Sequence, residues 1–389
     1  MTDDRRLMNK KRIASLFFLA LLIFFPLYLA MRSGKPTLPA ARLTAPPADL
    51  SGFARADAPA EITFPDDQGP HPDYLTEWWY YTGNLQTADG RHFGFQLTFF
   101  RRALAPPAAR PSGRDSAWAA DQVYLAHFAI TDAAGGDFQF AERFSRGAAG
   151  LAGAQADPYA VWLEDWSVRE AGAGVYELAA AHGETALALT LTDAKGYTLH
   201  GEEGYSRKGP AAGNASYYIS QTRLEATGTL TAGGEAFGVT GLAWMDHEYS
   251  TSALAADQVG WDWFSIQLDD GSELMLFELR KEDGTVDAFS SGTLIYPDGS
   301  AVFLGEADFT ISVEAWWESP HSGARYPAQW IIAAPGYGIE LAVEPVLADQ
   351  ELSVSFVYWE GSVRVSGAGV SGYGYVELTG YAHSMQGEF

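Results

Sequence analysis

The sequence predicts an all-β protein, two tandem antiparallel β domains of barrel or sandwich type preceded by an N-terminal transmembrane helix. Three observations carry this expectation. Apolar and polar residues alternate over short runs, as in Arg91–Phe99, where Phe93, Phe95, Leu97 and Phe99 share one face. Between such runs stand Asp89-Gly90, Gly233-Gly234, Asp270-Gly271, Asp283-Gly284 and Asp298-Gly299, pairs that favour tight hairpin turns. Two stretches then recur in the same order. Past residue 61 no long segment keeps a helical period, so a parallel sheet with crossover helices is disfavoured.

The N-terminal element rests on charge and length. Arg5, Arg6, Lys10, Lys11 and Arg12 precede the charge-free run Ile13–Met31. At roughly 1.5 Å per residue this run forms a helix about 28 Å long, close to the hydrocarbon thickness of a bilayer. Its basic flank is expected to stay in the cytoplasm, which places the remainder in the periplasm, held to a bacterial inner membrane. A cleaved signal peptide, releasing the protein to the periplasm, is the competing expectation. Leu29-Ala30-Met31-Arg32-Ser33 is a poor cut site for it. Residues 1–33 are thus read as the anchor and 34–60, with Pro36, Pro39, Pro46, Pro47 and Pro59, as an extended tether.

The two β domains are assigned to residues 61–250 and 251–389. Trp79-Tyr80 leads through Leu85 and Asp89-Gly90 to Phe99 and Arg101, and Trp263-Phe264 leads through Leu268 and Asp270-Gly271 to Phe277 and Arg280. Near the end of each half, Val239–Asp246 aligns with Val370–Glu377. Matched hairpins in matched order indicate duplication. After the second match the copies differ: Asp246-His247 stands where the other copy has Glu377-Leu378, which singles out Asp246 and His247 for chemistry. Leu104–Gln122 is long for a hairpin turn and is expected to cover the mouth of the first barrel.

Composition narrows the function classes. The chain of 389 residues has no Cys, which excludes a disulfide scaffold, a thiolate metal site, a Cys nucleophile and a lipidated-Cys anchor. A net charge of -24 opposes binding of nucleic acid through a broad basic surface. Aromatic residues make up 14% of the chain, enough for extensive cores or for lining an apolar cavity. No nucleophile elbow, zinc helix or phosphate loop is present, and no spacing supports a metal site or calls for a cofactor.

The polar candidates sit among aromatic rings. Glu77 precedes Trp78-Trp79-Tyr80-Tyr81, Asp246-His247-Glu248 follows Trp244, Asp262 lies between Trp261 and Trp263, and Tyr124 and His127 share one run. A carboxyl buried among rings keeps its proton to higher pH and can act as an acid, with His as relay. Plainer readings stand beside these. Glu77 and Asp262 can pair with Arg101 and Arg280, and His127 can be a hydrogen-bonded core histidine.

Glu77–Leu85, His127–Asp132, Ala243–Tyr249, Gly260–Phe264, Tyr358–Gly361 and Gly374–Tyr381 together resemble the AttH-like group related to carotenoid 1,2-hydratase, whose secreted branch carries the label of predicted hydrolases. The resemblance spans residues 62–385. It implies two lipocalin-like barrels, a hydrophobic ligand of lipid or isoprenoid type, and an ABC-type export permease as partner. Binding of that ligand is the first function it implies; the alternative is a hydratase or hydrolase, hydration of a terminal double bond having Asp246 as proton donor and His247 as its partner. Trp244 and Tyr249 are then the aromatic lining, and Glu77, Trp79, Tyr81, Tyr124, His127, Asp262 and Trp263 complete the expected binding residues. No nucleophile in the sequence supports the hydrolase label.

Overall fold

A computed structural model describes residues 50–110, 116–252, 254–367 and 369–386. The expected transmembrane helix and most of the tether lie outside the described residues. Among the described residues no helix is long and apolar enough to cross a membrane, and the helical pieces are single 3₁₀ turns.

The first sheet contains β1 (Thr76–Gln86), β2 (His92–Ala103), β3 (Gln122–Asp132), β4 (Asp137–Arg146), β5 (Ala152–Gln155), β6 (Ala160–Leu163), β7 (Trp166–Gly172), β8 (Val175–His182), β9 (Thr185–Asp193), β10 (Thr198–Leu199), β11 (Tyr205–Arg207), β12 (Ala215–Ala232) and β13 (Glu235–Ser250). Eleven of them follow the order β4-β3-β2-β1-β13-β12-β9-β8-β7-β6-β5, while β10 and β11 pair with β12 off that path. The path curls until β3 and β4 meet β5 and β6, giving a nearly closed barrel.

The second sheet contains β14 (Gln258–Leu268), β15 (Glu273–Lys281), β16 (Ser291–Ile295), β17 (Ala301–Gly305), β18 (Thr310–Glu318), β19 (Arg325–Ala334), β20 (Ile339–Pro345), β21 (Glu351–Ser353), β22 (Val357–Gly367) and β23 (Val370–Leu378). Its nine-strand path β17-β16-β15-β14-β23-β22-β20-β19-β18 ends on β17 and β18, which do not pair. The expectation of a second closed barrel is therefore corrected to a curled half-barrel. The five-residue β17 offers little edge to the nine-residue β18, whose residues stay partly or fully exposed along its length.

Strand parity divides the buried residues between two cores. Trp79, Tyr81 and Leu85 of β1 point into the barrel with Phe93, Phe95, Leu97 and Phe99 of β2. Trp78 and Tyr80, on the opposite face of β1, join Tyr218, Trp244, Trp263, Phe277 and Tyr375 in a separate cluster. That cluster bridges the two sheets, so β1 is apolar on both faces rather than alternating.

Two glycines show why the repeated motif at the start of β13 and β23 keeps its form. A Cβ on Gly241 would lie 2.1 Å from the Asn84 carbonyl oxygen, and one on Gly372 would lie 2.2 Å from that of Gln267. In both halves the neighbouring backbone, β1 or β14, comes too close for any side chain.

Polar bonds fix the sheets against each other. Gln267 Nε2 donates to the Thr222 and Ala243 carbonyls at 2.7 and 3.0 Å. Glu273 is fully buried and accepts from Lys195 Nζ at 2.6 Å and from Arg223 Nε. Asn84 Nδ2 donates to the Gly374 carbonyl at 3.0 Å. The described part of the expected tether, 50–60, is docked rather than free. Phe53 and Ala56 are buried, and the Ala58 carbonyl accepts from the Tyr217 hydroxyl at 2.8 Å. An apolar anchor at Phe53 overrides the extended preference of the prolines around it.

Candidate functional site

The cavity of interest lies between the sheets and not inside a barrel. It has a volume of about 220 Å³. The first sheet supplies Trp78, Tyr80, Phe100, Tyr218, Asp246 and Glu248, and the second supplies Trp261, Trp263, Phe277 and Glu377. Among the described residues Lys208 is the one cation of the lining. Leu50, Ser252, Leu254 and Gln386 also line it and stay partly or fully exposed, which marks the mouth. No described residue of the Leu104–Gln122 segment lines this cavity.

Asp246 is the most enclosed of the acids. Its Oδ1 accepts from Trp244 Nε1 at 2.6 Å and from the Ser220 hydroxyl, and its Oδ2 accepts from the Tyr218 hydroxyl at 2.7 Å. Trp263 Nε1 donates in turn to the Tyr218 oxygen at 2.8 Å. Burial pushes the Asp246 carboxyl up to about 7, against these three hydrogen bonds and with the help of the Glu248 charge. Glu377 enters from the other sheet and accepts from Trp261 Nε1 at 2.6 Å. It too is pushed up to about 7 by burial, with the charges of Asp246 and Glu248 adding to the effect.

Lys208 forms its ion pair with Glu248 rather than with either of these acids, and its charge acts on Asp246 from further away. Its Nζ lies 3.4 Å from Glu248 Oε1 and 3.8 Å from the centre of the Phe277 ring. Burial lowers its own pKa. Behind the cavity wall the Tyr80 hydroxyl donates to Glu360, which burial raises well above the carboxylate range.

Asp246 and His247 are not brought together. Adjacent strand residues face opposite sides, so His247 points into the barrel and donates from Nε2 to Glu77 Oε1 at 2.8 Å. The expected donor–partner pair is thereby corrected. Glu77 is fully buried and also binds Arg101 Nε at 2.7 Å and the His71 backbone N–H at 3.0 Å. Although burial alone would raise it, Arg101 and the two imidazoles hold Glu77 well below the usual carboxylate range.

His71, Glu77 and His247 present ligand-type atoms within 4.8 Å of one another. Arg101 shares the same carboxylate, while the buried Nδ1 of His247 has no hydrogen-bond partner among the described residues.

The remaining expected residues are dispersed. Trp79 stacks on His247 at 4.9 Å inside the barrel, and Tyr249 stacks on His71 at 3.5 Å. Tyr81 shares a 2.7 Å bond with the Tyr159 hydroxyl, and Tyr124 belongs to the same barrel core. His127 faces outward from β3 and bonds Tyr358 and Glu142 at 2.7 and 3.1 Å. Asp262 accepts from Arg280 Nε at 2.8 Å and from the Tyr381 hydroxyl at 2.8 Å, on the inner face of the half-barrel. Trp263 lines the cavity, and Trp244 stands behind Asp246.

Sequence reasoning missed Trp78, Tyr218, Lys208, Ser220 and His200 as site residues. The doubly apolar run Trp78–Tyr81 was the available signal for the first of these. Ser220 accepts from His200 Nε2 at 2.7 Å while donating to Asp246, and His200 Nδ1 bonds Thr293 at 2.8 Å. Burial lowers His200 to about 3, so it is neutral. The serine thus lies between His and Asp, whereas a hydrolytic triad places the imidazole in the middle.

Known structures share this architecture. A crystal structure from Nitrosomonas europaea, described as an AttH, is 35% identical with a TM-score of 0.74, covering 83% of this chain and 97% of that one. Kievitone hydratase from Nectria haematococca is 14% identical with a TM-score of 0.62, covering 86% of this chain and 97% of that one, a likeness of fold alone. No curated protein matches the chain. The AttH-like family model matches residues 55–381, and with this two-sheet lipocalin-like β fold the chain belongs to the AttH-like family.

Proposed function

We propose that the inter-sheet cavity binds an apolar ligand of isoprenoid or lipid type and that Asp246 protonates a carbon–carbon double bond in it, so that water adds. One observation carries this: a carboxyl that forms no salt bridge among the described residues, raised to about 7, in a lining of tryptophan, tyrosine and phenylalanine rings. A pure carrier gains nothing from such a group, because an unpaired buried carboxyl costs stability that an apolar residue would not. Aromatic faces stabilise a carbocation, and a protonated acid supplies the electrophile. The fold shared with kievitone hydratase agrees in reaction type, hydration, and is offered as analogy.

The test is expression of the full chain in a lipid- and carotenoid-producing host, then native mass spectrometry. The wild type is expected to carry an isoprenoid together with its form heavier by one water. Asp246→Asn is expected to carry only the unhydrated form. A phospholipid held equally by both would sink the hydration reading and leave a carrier.

The setting proposed for this site follows the N-terminal sequence. The basic cluster Arg5–Arg12 ahead of Ile13–Met31 supports an anchored protein whose folded part faces the periplasm. An ABC-type export permease in the same membrane is the partner such a tethered protein would serve. Reporter fusions after residue 60 should be active only for a periplasmic reporter. Activity of a cytoplasmic reporter there would reverse the topology.

A further inference from the structure

The internal repeat gives the site a second acid. Asp246 pairs with Tyr80 across β1, and Glu377 pairs with Trp263 across β14. The register therefore matches Tyr80 to Trp263, one residue away from the sequence alignment of Trp79 with Trp263, and matches Trp78 to Trp261. All of these residues line the one cavity, with the Tyr80 and Trp263 rings edge to face at 5.3 Å. Each acid receives an indole N–H at 2.6 Å, Asp246 from Trp244 and Glu377 from Trp261. Among the described residues neither forms a salt bridge: Lys208 pairs with Glu248, and its charge reaches Asp246 only at longer range.

We infer that Glu377 is the second catalytic carboxyl of the site and acts with Asp246 as a donor–acceptor pair across the cavity, one protonated while the other is charged. This rests on the hydration reading above.

The step balances with water as the sole co-reactant. Asp246 gives its proton to one alkene carbon, and the π pair becomes the new C–H bond. A water oxygen bonds to the carbon left cationic, and the proton that water sheds passes to the Glu377 carboxylate. One proton has then moved from Asp246 to Glu377. Its return between the carboxyls, by way of water in the cavity, resets the site. Two like charges in one low-dielectric cavity repel, so a single shared proton is the favoured state near neutrality. The surrounding groups that bear on this titration are Glu248 and Lys208 as an ion pair, Glu360 behind Tyr80, neutral His200 behind Ser220, and the hydroxyls of Tyr80, Tyr218 and Tyr375.

Carboxyl titration of the full chain, followed by infrared difference spectroscopy of the protonated C=O band without ligand, tests the pairing directly. In Glu377→Gln the Asp246 band should titrate lower by about one pH unit or more, and Asp246→Asn should lower Glu377 likewise. Trp261→Phe keeps every charge and removes one donor, so it should raise the Glu377 titration and, as Glu377 holds its proton longer, lower that of Asp246, which serves should either amide variant fail to fold. Unmoved titrations in all three would overturn the pair.

Deuterium uptake from heavy water into farnesol, a trisubstituted alkene probe, separates the two claims. Uptake lost in Glu377→Gln supports the catalytic role. Uptake retained there overturns it. Coupled titration with no uptake by the wild type leaves the pair standing and removes the hydration reading on which its role in catalysis rests.

Discussion

Two neighbouring titratable residues on β13 serve opposite purposes, and the difference is one of solvation partners. Asp246 keeps its proton to about pH 7 in the folded chain, whereas an unfolded aspartate loses it near 3.8. Between these values the folded state binds more protons, so stability falls as pH rises from 4 to 7. Glu377 acts in the same direction from 4.5 to about 7. The two act as one coupled pair, and both push stability the same way across that window. Urea unfolding at pH 5 and pH 8 should show the wild type losing stability on the alkaline side. Asp246→Asn should flatten that loss, and an unchanged slope would refute the assignment.

Glu77 has the opposite sign. Its folded pKa is depressed, so its stabilisation is present above 4.5 and disappears as the pH falls. Glu77→Gln leaves Arg101 buried without its counter-ion and should cost about 3–5 kcal/mol in urea unfolding at pH 7. A cost under 1 kcal/mol would show that the network is not structural.

At the level of strands, the backbone contacts at Gly241 and Gly372 predict matched sensitivity. Gly241→Ala and Gly372→Ala each force a methyl against a carbonyl oxygen of the adjoining strand. Both should lower the melting temperature by several degrees, as expected for a loss of about 1–3 kcal/mol from overpacking. Gly238→Ala, where a Cβ would meet nothing within 4 Å, is the control and should melt like wild type.

The strands were also the most legible part of the sequence. Alternation and Asp-Gly turns marked β1, β2, β14 and β15, and the duplication marked which strands correspond. Parity by itself separates Asp246 from His247, because the period of a strand is two residues. What alternation cannot reveal is which of two buried faces lines a cavity. Trp78 and Trp79 read alike in sequence, yet one borders the inter-sheet cavity and the other fills the barrel. Lys208 and Tyr218 were hidden for a different reason: only the folding of distant segments brings them beside Asp246.

Across the whole molecule the sheets share one buried seam. Glu273, Gln267 and Asn84 bond across it, and the aromatic cluster around Tyr80 and Trp263 belongs to both sides. Thermal unfolding should therefore be a single transition, with far-ultraviolet and near-ultraviolet circular dichroism coinciding. Glu273→Ala, which strands Lys195 and Arg223, should lower that transition without splitting it. Two separated transitions in the wild type would mean that each half holds itself together.

The matched positions of Asp246 and Glu377 carry a consequence for how such a site can vary. In a symmetric dimer of identical halves, any change at this strand position would appear twice, altering both acids at once. Fusing the halves into one chain frees each to differ. One side keeps a short acid held by Tyr218, Ser220 and Trp244, and the other a longer acid held by Trp261. Under the proposed reading, unequal reach and unequal donors would let two chemically similar groups assume distinct tasks over a single ligand, with direction imposed on an otherwise two-fold arrangement.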